Sequence, residues 1–310
     1  LCWSNADQKE FSTLEDTDDA LSIFLGEHSD IVPSTCTIGV ESTAEYHLKV
    51  TKYFLSKGFT VKVLNPILTK QYTRTTIRGT KTDKTDSELI CKLIAEGHGD
   101  AVSMHALTDR EKELLRLAHT LTKNASQLTL RLQSSRRKEL DTGDIEAKLE
   151  GIIASLKDLS GELVAEATEA PTDDEAFIDS IPGFAAHLSA VVYHEIGDIK
   201  RFATPKSLVA YAGLDPKIKQ SGARLNTTGR LMKRGSTHLR YALYLAAHTA
   251  RRFDPELAGY YAKKRAEGRK NTEVLCMIAR KLLYRIWALL KEQRVYVRRN
   301  LSTPAPLTST

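Results

Sequence analysis

The chain has 310 residues, 41% of them apolar, with 45 Lys and Arg against 39 Asp and Glu. No apolar run approaches the length of a membrane span, which excludes a helical membrane protein, and the composition is ordinary for a soluble globular chain. The four cysteines, Cys2, Cys36, Cys91 and Cys276, are too scattered for a zinc site or a disulfide framework, so a reducing cytoplasm is the simplest compartment.

The length allows two or three domains. The chain begins with Leu1, and "LCWSNADQKEF" reads as if it starts in mid-strand before a turn at Asn5–Asp7, so earlier residues are expected in the gene product. Charge is unevenly spread. Residues 217–300 hold 21 Lys or Arg against 5 Asp or Glu, leaving 24 against 34 elsewhere. A basic region of that density points to a polyanionic partner, most simply nucleic acid; a solvated helical surface is the plainer alternative.

In chain order, "CTIGVES" (36–42) reads as a buried strand. "AEYHLKVTKYFLSKG" (44–58) is a helix stopped by Gly58, and "FTVKVLNP" (59–66) is a second strand ending at Pro66. A polar, basic stretch follows, then a helix near 83–96. Strand, helix, strand, helix predicts an α/β layer domain over 1–102. Over 103–170, Leu114, Ala118, Leu121, Ala125, Leu128 and Leu132 repeat every four and three residues. Ile145, Leu149, Ile152, Leu156, Leu159 and Leu163 do the same beyond the break at "DTGD". Those seams predict a coiled-coil-like helical hairpin, expected to act as an arm that pairs with another copy. Residues 171–310 predict a mostly α domain, with "IPGF" between helices resembling a helix-hairpin-helix, whose glycine turn offers backbone N–H groups to a phosphate. The tail "LSTPAPLTST" is expected to be disordered.

Two features carry chemistry. Asp83 and Asp86 stand three apart on one helix face and repel each other unless a cation lies between them. Glu41 closes the strand "TIGVE", where α/β folds place their sites. Oxygen-only ligands of this kind suit Mg²⁺ or Mn²⁺, and two such ions clamp the attacking and leaving oxygens of phosphoryl transfer. The plainer reading makes Asp83 an N-cap and sets Asp86 at the favourable end of the helix dipole. The second feature is "DPKIKQSGARLNTTGRLMKRGSTHLRYAL" (215–243), with Gly222, Gly229 and Gly235 among seven basic residues. A serine before a glycine among arginines can attack a phosphodiester whose developing charge the cations stabilise; a flexible basic loop is the alternative.

"GVESTAEYH", followed by "RGTKTDKTDSELIC", resembles the RuvC-like half of the DEDD insertion-sequence transposases, and "IPGF…EIGDIKRFATPKSLVAYAGLDP…QSGARLNTTGRLMKRGSTHLRYALYLAA" resembles their transposase half. These bridge-RNA-guided serine recombinases are related to the Piv and MooV invertases, and the resemblance covers nearly the whole chain. It implies an RNase H-like first domain (1–102), the hairpin arm (103–170) and the C-terminal transposase domain (171–310). The family's four acids read Asp, Glu, Asp, Asp; the last three fall on Glu41, Asp83 and Asp86, and the first has no counterpart here. The nucleophilic serine maps onto Ser221, with Ser236 as the local rival. Arg224, Arg230, Lys233, Arg234 and Arg240 become candidate nucleic-acid contacts by charge and position.

The implied function is DNA strand cleavage and exchange in a prokaryotic cytoplasm, in association with the nucleoid. The implied partners are Mg²⁺ or Mn²⁺, the element's DNA ends and target, a structured guide RNA, and further copies of the chain as a dimer or tetramer; no membrane is involved. The acids and the serine are expected to meet across protomers. A RuvC-type junction endonuclease that uses water instead of serine, and a non-catalytic RNA- or DNA-binding protein, are the alternatives.

Overall fold

A computed structural model describes residues 2–4, 9–42, 46–75, 82–107, 109–138, 144–221, 224–231 and 235–298. At 2–4, 9, 46, 74–75, 105–106, 216–221 and 224–231 it describes the backbone alone. The chain divides into two compact units, Leu1–Asp109 and Arg110–Thr310. Among the described residues no helix is long and apolar enough to cross a membrane.

The first unit is a small mixed sheet with helices. Its elements are β1 (Cys2–Ser4), β2 (Lys9–Phe11), α1 (Asp18–Glu27), β3 (Thr37–Glu41), α2 (Tyr46–Ser56), β4 (Thr60–Leu64), α3 (Pro66–Thr75), α4 (Asp83–Ala95), β5 (Asp100–Val102) and α5 (Met104–Leu107). β1 and β2 form an antiparallel ribbon around the expected turn, whose residues lie outside the described ones. β3 pairs parallel with β4 through the α2 crossover, in the register Thr37↔Thr60 to Glu41↔Leu64, and β5 closes the far edge antiparallel. Tyr53 and Phe54 of α2 bury against Leu21, Phe59 and Val61.

Besides the short α5, helices α1 and α3 of this unit stand where sequence reading placed none. α1 begins at Thr17, whose hydroxyl accepts the Ala20 N–H at 3.2 Å. α3 occupies the stretch read as polar and irregular: the Asn65 side chain accepts the Ile67 N–H at 2.9 Å and Pro66 opens the helix.

The second unit is helical with one β-hairpin: α6 (Arg110–Arg137), α7 (Asp144–Ala167), α8 (Asp173–Asp179), α9 (Ala186–Ile196), α10 (Pro205–Tyr211), β6 (Pro216–Ser221), β7 (Arg224–Leu231), α11 (Thr237–Phe253), α12 (Pro255–Ala266) and α13 (Asn271–Glu292). Its core gathers α8 to α13. The alanine face of α11 (Ala242, Ala246, Ala247, Ala250) is fully enclosed and lets neighbouring helices approach closely.

α6 and α7 form the expected hairpin, but their seams face each other. Ala125, Leu132 and Ile153 are buried together, with Leu128, Leu149 and Leu156 against them. On α7 the buried positions are Ile153, Ser160 and Ala167, beside the expected Leu149 and Leu156, so the seam includes a serine. Ser160 is satisfied there by the Ala118 carbonyl at 2.9 Å and the Thr122 hydroxyl at 2.8 Å. Ile145, Ile152 and Leu159, read as seam residues, point outward at 60%, 50% and 45% exposure. The α6 seam is therefore filled from within the chain and does not await another copy.

One further expectation changes, while "IPGF" does lie between two helices, α8 and α9. Residues 216–221 and 224–231, in a stretch weighed as a flexible loop in a mostly α domain, form two antiparallel strands with Pro216↔Leu231 and Ser221↔Arg224 paired. Gly183 of "IPGF" has a packing role: a Cβ there would come within 2.6 Å of the Ala246 carbonyl and 2.8 Å of the Ala250 nitrogen, so the turn lies directly on α11. The tail beyond residue 298 lies outside the described residues.

Candidate functional site

In the first unit the acids sit on adjoining elements. Glu41 is the last residue of β3, and α4 packs across that strand. The close approach requires Gly39, since a Cβ there would lie 2.3 Å from the Ile94 side chain of α4. Asp83 and Asp86 lie in the first turn of α4, exposed and half-buried respectively. Neither is its N-cap. Thr82 caps the helix and Thr85 returns the bond, with Thr85 N–H to the Thr82 hydroxyl at 3.2 Å and Thr82 N–H to the Thr85 hydroxyl at 3.0 Å. The capping reading of Asp83 is thereby set aside. Glu41 is held in turn by Thr69 of α3, whose buried hydroxyl donates to its Oε1.

The donor chemistry of Glu41, Asp83 and Asp86, all carboxylate oxygen, fits Mg²⁺. Among the described residues no three His, Cys, Asp or Glu side chains lie close enough together to close around an ion. Thr69 was missed by sequence reading. The pair Asn65–Pro66, a helix cap followed by a first-turn proline, was the signal that could have found its helix.

In the second unit Ser221 ends β6 and pairs with Arg224 across the turn, while Arg230 lies toward the open end of the hairpin. Lys233 and Arg234 lie outside the described residues. Arg240 is anchored: its Nη1 donates to the Gly235 carbonyl at 2.6 Å and the Ala212 carbonyl at 3.2 Å, and burial lowers its pKa. Those carbonyls precede β6 and follow β7, so the guanidinium joins the two feet of the hairpin. That is a backbone role where sequence reading had expected a phosphate contact.

Ser236 is also engaged. Its hydroxyl accepts the Leu239 N–H at 3.2 Å as the N-cap of α11, and it hydrogen-bonds to the Glu195 carboxylate. Glu195, 2% exposed, accepts both Arg116 Nε at 2.7 Å and Arg116 Nη2 at 3.2 Å. Burial pushes the Glu195 pKa up, but the hydrogen bonds from Arg116 and Ser236 and the Arg116 charge outweigh it, and the result lies below the ordinary value. Around this pair His119, His187 and His238 converge on a cavity of about 40 Å³, with the His119 and His238 ring centroids 5.0 Å apart. Burial lowers the pKa of all three imidazoles, which favours their neutral form at the junction of α6, α9 and α11.

Comparison with known proteins adds two matches in chain order. Residues 3–141 match a DEDD transposase model of the IS110 type, and residues 175–262 match the model described as transposase IS116/IS110/IS902 family. The first span contains Glu41, Asp83 and Asp86; the second contains Ser221 to Arg240. A 44.8 kDa protein of insertion element IS116 from Streptomyces clavuligerus is 35% identical over 136 residues, which is 44% of this chain and 32% of that protein. A 42 kDa protein of insertion element IS900 from Mycobacterium paratuberculosis is 36% identical over 118 residues, 38% of this chain and 29% of that protein. The chain thus spans about a third of the length of these relatives. A pilin gene-inverting protein of Moraxella bovis is 24% identical over 274 residues, 86% of this chain and 83% of that protein.

Proposed function

We propose that this chain is a transposase of the IS116/IS110/IS902 kind, a reading its two matches in chain order support, and that it cleaves and exchanges DNA strands through a serine nucleophile, Ser221. The supporting observation is the contrast between the two serines of the basic segment. Ser236 caps a helix and bonds a buried carboxylate, whereas Ser221 stands at the turn of a β-hairpin. A cap does not leave its helix without cost.

In the proposed step the Ser221 Oγ–P bond forms as the P–O bond to the leaving sugar oxygen breaks. The serine proton passes to solvent and the leaving oxygen takes one up. The phosphoserine ester conserves the energy of the broken phosphodiester, so attack by the hydroxyl of a second strand reseals DNA and returns the serine. Arg224 and Arg230, on the strand paired with that of Ser221, supply cations near the phosphate, with Lys233 and Arg234 as further contacts. Glu41, Asp83 and Asp86 would hold Mg²⁺ (or Mn²⁺) in a RuvC-like domain, and the ion when bound supplies charge stabilisation at the reacting phosphate. Thr69 fixes the Glu41 carboxylate.

The reading assigns three parts: the RuvC-like domain (1–102), the arm (103–170) and the transposase domain (171–310). It includes a structured guide RNA on the basic surface, supported by the charge of residues 217–300. It also includes a homo-oligomer joined through the outward stripe Ile145, Ile152 and Leu159.

The test traps the reaction with a suicide DNA substrate and maps the adduct by mass spectrometry. An adduct on Ser221, lost in Ser221→Ala and in Asp86→Asn, is the expected result. Cleaved ends with no adduct in the wild-type protein would refute the serine and leave hydrolysis by water, the chemistry of a junction endonuclease.

A further inference from the structure

One surface lies outside all the machinery above. Between α12, α13 and the segment that follows α13 runs a groove of about 690 Å³. Tyr260, Tyr284 and Tyr296 line it, and so do five Lys or Arg side chains against one acid, Glu256. We propose that this groove binds single-stranded DNA, with a base stacked on Tyr284 and the sugar–phosphate backbone following Arg280 and Lys281. The inference rests on the strand-exchange reading for its choice of DNA over other polyanions.

Its floor is already built. Arg285, only 15% exposed, donates to Asp254 at 2.6 Å and to Glu256 at 2.8 Å, and its guanidinium lies 5.0 Å from the Tyr296 ring centroid. The Tyr296 hydroxyl bonds Asp254 at 3.2 Å. These groups are tied to one another and present a fixed wall.

The upper residues are held loosely. Arg280 approaches Asp215 only to 4.0 Å, and Lys281 approaches Glu256 only to 3.8 Å, both at exposed sites where an ion pair is weak and exchanges readily for phosphate. The Nε of Arg280 is buried with no hydrogen-bond partner, one of two such side-chain atoms among the described residues. Tyr284 is 39% exposed, while the Tyr260 ring already carries Lys281 at 4.7 Å. Cations that follow a backbone, interleaved with aromatic faces, are the chemistry that binds unpaired strands; a duplex hides the base faces that such rings recognise. Strand exchange produces unpaired DNA, so the partner is at hand.

The experiment measures fluorescence anisotropy of a short labelled oligodeoxythymidylate with the full chain. Tyr284→Ala should weaken binding about tenfold and Tyr284→Trp should restore it. Arg280→Ala and Lys281→Ala should each reduce the log–log salt slope by about 0.7. Photocrosslinking of an iodouracil oligonucleotide should map to Tyr284. Unchanged affinity in Tyr284→Ala, with no crosslink there, overturns the proposal, and so does tighter binding of the matching oligoribonucleotide. The Ser221→Ala protein should bind the probe like the wild type. Normal strand cleavage by that variant would defeat the serine chemistry without touching the groove measurement.

Discussion

Replacing Arg116 with Ala should destabilise the second unit more than any surface substitution of similar size. Arg116 meets Glu195 through two hydrogen bonds of 2.7 and 3.2 Å, and the carboxylate left behind is 2% exposed. Removing one partner of a buried pair costs about 3–5 kcal/mol, because the other charge stays desolvated. The Arg116 side chain is itself 38% exposed, so water can enter the vacated space, and the expected loss lies near the lower end, about 3 kcal/mol. In urea, with a slope of about 2–3 kcal/mol/M for a unit of this size, the midpoint should fall by about 1–1.5 M. Circular dichroism of the purified chain reads it. Arg116→Met combined with Glu195→Met should recover most of the loss, since no charge is then buried. pH gives a second readout with a definite sign. Glu195 has a lowered pKa in the folded chain. The stability of the pair is therefore fully present above the carboxylate's unfolded pKa and is lost as pH falls through the lower folded value. Arg116→Ala should lack that acid-dependent component. A midpoint within 0.3 M of the wild type, about 1 kcal/mol or less, would refute the account.

Three further outcomes follow from named contacts. Thr69→Val removes the donor to Glu41 and should lower Mn²⁺ affinity about tenfold by spin-resonance titration, while Thr69→Ser keeps it; equal affinities would detach Thr69 from the acids. Ser236→Ala should cost about 1 kcal/mol as a lost cap yet still give the adduct on Ser221, and disappearance of the adduct with the fold intact would return Ser236 to candidacy. Ile152→Glu, on the outward face of α7, should reduce the sedimenting mass towards that of the 34.5 kDa single chain, and an unchanged oligomer mass would place the contact elsewhere.

What the sequence disclosed and what it hid have separate causes. The β3–α2–β4 run was legible because its apolar periodicities are strong and Gly58 stops the helix. The long helices of the hairpin were legible for the same reason. The register of α7 was legible only in part: Leu149 and Leu156 pack against α6 as expected. Ile145, Ile152 and Leu159 imitate a seam, and the polar residue that replaces them inside, Ser160, finds its partners on α6, far away in sequence. β6 and β7 were hidden because "PKIKQS" and "RLNTTGRL" lack the apolar alternation that marks a half-buried strand. The three acids were proposed from residue type, spacing and resemblance, and among the described residues no three such side chains close around an ion; the Thr69 hydroxyl that holds Glu41 and the carbonyls that occupy Arg240 come from distant segments. No local pattern announces such a contact.

The Arg240 contacts carry a consequence for how the serine-bearing hairpin meets a ligand. An insertion joined to its scaffold at two separate points loses chain entropy when its ends are brought together. Here one guanidinium grips the carbonyls of Ala212 and Gly235, so the ends already stand side by side before any nucleic acid arrives. The closure entropy belongs to folding and is not charged again to association. On the proposed serine chemistry, binding free energy gained there can then go into orienting Ser221. Loss of that clasp would be felt first as weaker binding by a protein whose helices remain intact.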